Sequence, residues 1–172
     1  MTDGVSSRSC KNLNKENQTR KLASKNASKV LGFKWIKNFD FEDNAMDNIS
    51  LLKVVKTIEG IQMLINPDII YTHSFSDLNI DHRITASAVL TAFRPEPKNN
   101  ELEIRLFEIA SSTDFSHYQL AGNFVPNLYI NIEKEWESKK KALLCYKNEM
   151  RNKPHSRSLD GILNLAKIRG NQ

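Results

Sequence analysis

The segment 67–93 places the strongest constraint on the fold of this chain. Asp68–Thr72 is a short run rich in β-branched residues after a proline, which is typical of a strand buried in a parallel sheet. A polar loop follows, and Asp81–Phe93 then carries apolar residues at helical spacing until Pro95 stops the helix. The segment predicts a strand, a ligand-binding loop and a helix in that order.

The rest of the chain continues this alternation of strands and helices. We predict a loop or disordered arm over residues 1–18. Four helices are expected: Thr19–Leu31 with a cap at Gly32, one that follows the turn Glu42–Asn44 and runs to about Leu64, Glu133–Met150, and Ser158–Ile168. Further strands are expected over Phe33–Phe41, Ile104–Ala110 and Leu128–Ile132. The order predicts the α/β class, with a doubly wound, mostly parallel sheet in a single domain over residues 1–172.

Composition excludes several classes of protein. Hydrophobic residues make up 40% and charged residues 26%, which argues against a disordered or fibrous chain. No apolar run approaches the length of a membrane span and the start has no apolar signal core, so we expect a cytoplasmic protein without a transmembrane segment. Cys10 and Cys145 lack the spacing of a zinc knuckle or a disulfide framework.

Lys and Arg are concentrated at the two ends, in residues 1–29 and 139–172. Clustered cations favour nucleic acid or anionic surfaces, because they release counterions from phosphates. No aromatic-rich binding motif accompanies the charge, so solvated helix faces explain it better and nucleic acid is an unlikely partner.

Tyr71–Arg83 has the densest set of reactive side chains, with two His and two Asp. A neutral imidazole in the first turn of a helix, with carboxylates nearby to orient it, suits Zn²⁺, and this makes His82 the metal-ligand candidate. From the residues alone, an alternative stays open in which Asp81 is a helix cap and His82 is an ordinary polar residue.

This segment resembles the LmbE-like (PIG-L) family of sugar N-deacetylases. The resemblance rests on Pro67–His73, Asp77–Asn79 and Asp81–Arg83 in order, and extends through Thr2–Arg8, Arg20–Lys21, Asp43–Asn44, Ser111–Thr113, Pro126–Asn127, Tyr146, Glu149–Arg151 and Pro154–Ser158. It implies a Rossmann-like fold and removal of an acetyl group from an N-acetylated amino sugar. It also implies a divalent metal, usually zinc, held by two His and one Asp, which polarises the acetyl carbonyl and activates water.

Roles follow from the resemblance by position. His82 matches the internal His ligand, and Asp81 would fix the loop and the orientation of the imidazole. His73 would donate to the oxyanion or to the leaving amine. Many relatives have His where this chain has Asn79, and Asn can donate a hydrogen bond but cannot supply a proton.

Asp3, Arg8, Arg20 and Asp43 match positions that line the sugar pocket in relatives. Their arginines suit the phosphate or carboxylate of a nucleotide-linked or lipid-linked sugar, although surface ion pairs are an alternative interpretation. His155 and Arg157 either close the far side of the pocket or belong to a plain loop before the last helix.

The other two metal ligands and the base belong, in relatives, to a His-Pro-Asp-Asp motif that this sequence does not contain. We therefore expect an N-terminally incomplete domain that lacks the first strands, leaving a gap in the sheet and unpaired strand edges. Two interpretations follow. Either a separate N-terminal fragment completes a split deacetylase, or the chain is a catalytically inactive remnant.

Overall fold

The computed structural model describes residues 1–9, 12–95 and 102–172, and Cys10 lies outside these ranges. The chain divides into two compact units. Unit 1 combines Met1–Glu42 with Val125–Gln172, and unit 2 is Asp43–Phe124. The division into two units does not test the predicted single domain over residues 1–172, which stays a prediction.

Unit 1 begins with a long helix, α1, over Leu13–Leu31. It starts where the side chain of Asn12 accepts a hydrogen bond from the backbone N–H of Lys15 at 3.0 Å. It ends at Gly32, whose φ of 73° is the left-handed conformation that glycine adopts without strain. The predicted end is confirmed, but the predicted start at Thr19 is wrong, because the cap at Asn12 lets the polar residues before Thr19 join the helix.

The buried face of α1 consists of small residues, Ala23, Ser24, Ala27 and Ser28. This face packs against α5, which spans Trp136–Leu144 and buries Ala142. The last helix, α6, spans Leu159–Gly170 and starts at Ser158, whose side chain accepts from the N–H of Gly161 at 3.0 Å. Its bounds agree with the prediction to within two residues.

Two predicted strands of unit 1, Phe33–Phe41 and Leu128–Ile132, do not form in the described part of the chain. The first makes only an isolated parallel bridge between Phe41 and Thr2. The apolar side chains of both segments are largely exposed, including Phe33, Ile36 and Leu128–Ile130. Without a buried face, β-type composition alone does not hold a strand.

Helix α5 is shorter than the predicted span of Glu133–Met150. The helix ends at Cys145, and turns follow over residues 145–149. These turns place Tyr146 and Glu149 beside residues of α1. The end of the helix therefore shapes a polar cluster in this unit.

Unit 2 contains a short βαβ arrangement. Its elements are a 3₁₀ turn over Met46–Asn48, α2 over Leu51–Gln62, β1 over Ile69–His73, α3 over Ile80–Ala92, β2 over Glu103–Phe107 and the short α4 over Tyr118–Ala121. Strands β1 and β2 are parallel, and their register runs from Ile69 opposite Glu103 to His73 opposite Phe107. Parallel strands need a crossover connection, and α3 lies in that connection and packs on β1 and α2.

The core of unit 2 contains four apolar side chains with no solvent exposure among the described residues, Met46, Val54, Ala86 and Ala88. The predicted elements around residues 68–93 and the strand after them are confirmed to within three residues at each end. Helices with a small parallel sheet are compatible with the α/β class. Among the described helices, none combines the length and the apolar character needed to cross a membrane.

Candidate functional site

The carboxyl end of β1 and the first turn of α3 bring two imidazoles together in unit 2. His73 is the last residue of β1, and His82 lies in the first turn of α3. Their rings stack with centroids 4.1 Å apart and planes 17° from parallel. The strand-loop-helix pattern thus places both predicted His side chains in one site.

A buried carboxylate, Asp77, lies in the loop between the two His residues. Its Oδ2 is 3.0 Å from Nδ1 of His82, and the side chain has no solvent exposure. The distance is that of a hydrogen bond, but the ring N–H is poorly aligned with the oxygen. We therefore treat the contact as mainly electrostatic, with the carboxylate fixing which side of the imidazole faces inward.

Hydroxyl and backbone donors complete the surroundings of Asp77. Ser112 donates its hydroxyl to Oδ1, Thr113 donates to Oδ2 at 3.4 Å, and the N–H of Asn79 donates to Oδ1 at 2.8 Å. Ser112 and Thr113 follow β2, and the carboxyl ends of parallel strands meet at one edge of a sheet. Ser111 has a positive φ of 64°, a conformation uncommon outside glycine, at the turn that carries these hydroxyls.

These contacts set the protonation of the cluster. Burial acts to raise the pKa of Asp77, but His82, Ser112 and the Asn79 N–H outweigh it, and the net pKa is lowered. Burial, assisted by the neighbouring His82, lowers the pKa of His73 from 6.5 to about 4, against the opposing charge of Asp77. At neutral pH the site therefore holds a carboxylate beside a neutral His73.

The remaining predicted residues of unit 2 have different surroundings. Asp81 is buried, and its carboxylate accepts from the N–H of Asn44 at 2.7 Å and of Met46 at 3.0 Å. It fixes the loop before the 3₁₀ turn, whereas the carboxylate that faces the imidazole is that of Asp77. Asn79 caps α3, since its side chain accepts from the N–H of Asp81 at 2.8 Å. Asp43 accepts from the side-chain amide of Asn44 at 3.2 Å.

A metal site needs at least three converging ligands, and the described residues contain no group of three His, Cys, Asp or Glu side chains that could hold one. Nδ1 of His73 and Nδ1 of His82 are buried without a well-aligned hydrogen-bond partner. His82, oriented by Asp77, suits a single ligand position. The described residues therefore do not form a metal centre by themselves.

Three of the predicted residues of unit 1, Arg8, Arg20 and Arg157, surround Glu149 in a second cluster. Nη2 of Arg8 lies 2.8 Å from Oε1 and 2.9 Å from Oε2, Nη1 of Arg20 lies 3.1 Å from Oε1, and Nη1 of Arg157 lies 3.5 Å from Oε2. The guanidinium of Arg20 also stacks on the ring of Tyr146, 4.9 Å from its centroid. The turns after α5 thus draw together arginines that are far apart in sequence.

Asp3 and His155 stabilise turns of unit 1. Oδ1 of Asp3 accepts from the N–H groups of Val5 and Ser6, both at 3.0 Å, and from the hydroxyl of Ser6. Burial acts to raise the pKa of Asp3, but these donors outweigh it and the pKa is lowered. His155 accepts at Nδ1 from the N–H of Arg157 at 3.0 Å, in the turn that follows a cis peptide bond between Lys153 and Pro154.

Sequence reasoning gave no role to Asp77, Ser112 or Glu149, which are central to the two clusters. The signal for Asp77 was present, because it lies between two His residues in one loop after a buried strand. Ser112 could have been identified from its place after the neighbouring strand. Glu149 falls in the resemblance over Glu149–Arg151, but its local chemistry does not set it apart from the charged residues around it.

A family model described as PIG-L, GlcNAc-PI de-N-acetylase, matches residues 1–93, slightly more than half of the chain. The matched range covers β1, α3 and the segment from His73 to His82. No curated protein matches the chain.

Proposed function

Because the chain belongs to the PIG-L family, we propose that it serves in the hydrolysis of the N-acetyl group of an amino sugar. The observation that carries the proposal is His82 beside the buried carboxylate of Asp77, with His73 stacked on it at the end of β1. Family membership supports N-deacetylase chemistry, and the cluster supplies polar groups suited to it. The proposal extends to the Rossmann-like, doubly wound sheet of the family.

In the proposed reaction, a water oxygen bonds to the acetyl carbon and the C–N bond breaks. The amine nitrogen takes up a proton, and the products are acetate and a free amino sugar. His73 is neutral at pH 7 because its pKa is lowered to about 4, so its ring can donate a hydrogen bond to the developing oxyanion but is a weak acid catalyst. Asp77 holds His82 in place and is a positioning residue.

We also propose a divalent metal, most suitably Zn²⁺, with His82 as one ligand. The sequence contains no His-Pro-Asp-Asp run, so residues outside it have to supply the remaining ligands and the base. A separate segment carrying that run is the partner that this proposal requires. The chain by itself is then expected to be weak or inactive.

The substrate class in this proposal is an N-acetylglucosamine-like sugar, in surface polysaccharide or glycolipid assembly in the cytoplasm. The activity for which the family is named, GlcNAc-PI de-N-acetylation, supports a lipid-linked sugar as the first compound to test. A nucleotide-linked sugar is the second.

Release of acetate tests the proposal. The full chain is incubated with zinc and either substrate, alone and with a synthetic segment that carries the His-Pro-Asp-Asp run, and both acetate and free amine are measured. We expect turnover only with the added segment. His82→Asn should abolish it, whereas His117→Asn, an exposed His of the same unit, should leave it unchanged.

Turnover that survives His82→Asn would contradict the proposal. No turnover under any condition would favour a catalytically inactive remnant, an alternative supported by the absence of three converging ligands among the described residues.

A further inference from the structure

The second half of helix α1 and the extended segment after it carry positive charge without an acidic side chain. Residues 22–39, which we call the basic segment, contain no Asp or Glu and have four exposed lysines, Lys25, Lys29, Lys34 and Lys37. Asp40, the next acidic residue along the chain, lies 2.9 Å from Lys21 and is already paired. The basic segment therefore attracts an anionic partner and opposes it with no carboxylate of its own.

Large apolar side chains of the basic segment are also exposed. The structure describes the whole segment, and six such side chains have 36% to 60% of their surface exposed: Leu22, Val30, Leu31, Phe33, Trp35 and Ile36. Apolar surface in water is unfavourable, and a contiguous apolar patch is typical of a binding surface. The segment therefore offers an apolar partner as well as an anionic one a place to bind.

On α1 the two kinds of side chain share one side of the helix. The opposite side consists of the small buried residues that pack against α5. Leu22, Lys25 and Lys29 follow one another at spacings of three and four residues, so they lie along one exposed stripe. A lysine on such a stripe can lay its aliphatic stem on an apolar layer and keep its ammonium group in the polar layer above.

The extended segment after α1 adds aromatic rings. The ring centroids of Phe33 and Trp35 are 6.2 Å apart. Nε1–H of Trp35 donates to Oδ1 of Asn38 at 2.7 Å, so placing the indole in an apolar layer leaves no unpaired donor. Nζ of Lys37 lies 5.6 Å from the centroid of the Phe39 ring. Aromatic rings beside lysines are typical of the boundary between lipid headgroups and acyl chains.

We propose that the basic segment docks unit 1 on the surface of an anionic lipid bilayer. The lysines contact the headgroups, and the exposed aromatic and aliphatic side chains enter the boundary beneath them. Single-stranded RNA also binds cations and aromatic rings, but aliphatic side chains such as Leu31 and Ile36 gain most from an apolar phase. Docking does not require hydrolysis, so it stands apart from the proposed function.

A second copy of the chain is a poorer occupant of the same surface. A two-fold contact places the same patch of both copies face to face, which brings lysines against lysines. Like charges repel, whereas an anionic bilayer attracts all four lysines together. The charge of the basic segment therefore favours lipid over self-association.

Vesicle co-sedimentation of the full chain at low salt measures docking. The probes are phosphatidylcholine vesicles with and without phosphatidylserine, and we expect binding to the anionic vesicles that weakens with added salt. Combining Lys34→Gln with Lys37→Gln should weaken binding roughly 20- to 30-fold, because each lysine near an anionic surface contributes about fivefold. The matched control combines Lys53→Gln with Lys56→Gln, two exposed lysines of unit 2, and should change binding by less than about threefold.

Trp35→Ala tests the apolar contribution and should weaken binding roughly 10-fold, since it removes a large ring from the lipid boundary. Tyr118→Ala, which removes an exposed ring from unit 2, should leave binding unchanged. In a second measurement, Trp136→Phe leaves Trp35 as the only tryptophan of the chain. Its fluorescence should move to shorter wavelength on anionic vesicles and be quenched by brominated lipid.

Equal binding to vesicles with and without phosphatidylserine would overturn the proposal, as would equal losses in the test and control variants. Bound chain whose Trp35 fluorescence does not shift would also overturn it. Tighter binding to polyuridylic acid than to anionic vesicles would assign the segment to RNA. A shift of Trp35 fluorescence with protein concentration and no vesicles would assign it to a second copy, and either result would contradict lipid docking. Because the readout is binding, failure here is distinct from failure of the hydrolysis assay.

Discussion

The two polar clusters of this protein are built on opposite principles. In unit 2 a fully buried carboxylate, Asp77, is satisfied by hydroxyl and N–H donors and faces a neighbouring imidazole. In unit 1 a partly buried carboxylate, Glu149, is surrounded by three cations that remain open to solvent. The first arrangement fixes the orientation of the His82 ring. The second holds three partly exposed cations around one carboxylate.

The largest difference between the clusters should appear when each carboxylate is removed. Asp77→Ala leaves the Ser112 hydroxyl and the Asn79 N–H without their common acceptor and removes the charge that faces His82. We expect the free energy of unfolding to fall by about 3–5 kcal/mol, the range for breaking a buried charged network. Urea denaturation at pH 7 measures it.

Asp47→Ala provides the control, because Asp47 is an exposed carboxylate of the same unit. It should change the free energy of unfolding by less than about 0.5 kcal/mol. A loss of under 1 kcal/mol in Asp77→Ala would contradict the view that unit 2 is organised around this carboxylate.

Acid should destabilise unit 2 through His73. The folded pKa of about 4 lies below the usual 6.5, so the neutral ring contributes stability that is complete above pH 6.5. As pH falls from 6.5 to 4, the unfolded state binds the proton first and up to about 3 kcal/mol is lost. His73→Asn should remove this part of the pH dependence.

Urea denaturation at several pH values between 4 and 7.5 gives the free energy of unfolding as a function of pH. The slope of that dependence checks the prediction even if the variant is less stable at every pH. His117→Asn serves as the reference. If the free energy of unfolding of His73→Asn depends on pH as steeply as that of the parent chain, the His73 ring is not held neutral by burial.

A smaller effect is expected for Glu149→Gln in unit 1. Three guanidinium groups lose their counter-charge, but their exposure lets water screen the repulsion. The free energy of unfolding should fall by about 1–2 kcal/mol, and urea denaturation at pH 7 measures it. A loss of stability as large as that of Asp77→Ala would contradict the contrast between the two units.

The smallest effect should come from Asp3→Ala. The lowered pKa of Asp3 means that its charged form stabilises the fold above its ordinary pKa of 3.8, and this contribution is lost as pH falls through the lowered folded value. We expect a loss of about 0.5–1 kcal/mol at pH 7 and less at pH 3, because the turn is partly exposed. Melting temperatures at the two pH values measure it.

Features of the structure could be predicted from the sequence where the residues that contact each other are also close in sequence. The strand ending at His73, the helix carrying His82 and the end of α1 at Gly32 follow from local chemistry, and they were predicted. Ser112 meets Asp77 only because two parallel strands end at the same edge. Glu149 meets Arg8 across most of the chain, so no local pattern marks it.

The errors have the same cause. Phe33–Phe41 has a β-type composition, yet whether it pairs depends on a partner strand and a buried face, which no local pattern specifies. Asn12 was overlooked as a cap because the helix after it carries polar residues on most of its surface. Small buried residues such as Ala23 and Ala27 hold α1 through close packing and carry a weak hydrophobic signal.

The central claim is that Asp77 orients His82 to present its outer nitrogen, Nε2, to a ligand. Nitrogen-15 NMR of the His side chains, during a zinc titration of the chain with the added His-Pro-Asp-Asp segment, tests it most directly. We predict that zinc shifts Nε2 of His82, and that Asp77→Asn weakens zinc binding roughly 10- to 100-fold. Zinc that leaves His82 unshifted at saturation, or that binds Asp77→Asn as tightly as the parent chain, would contradict the claim.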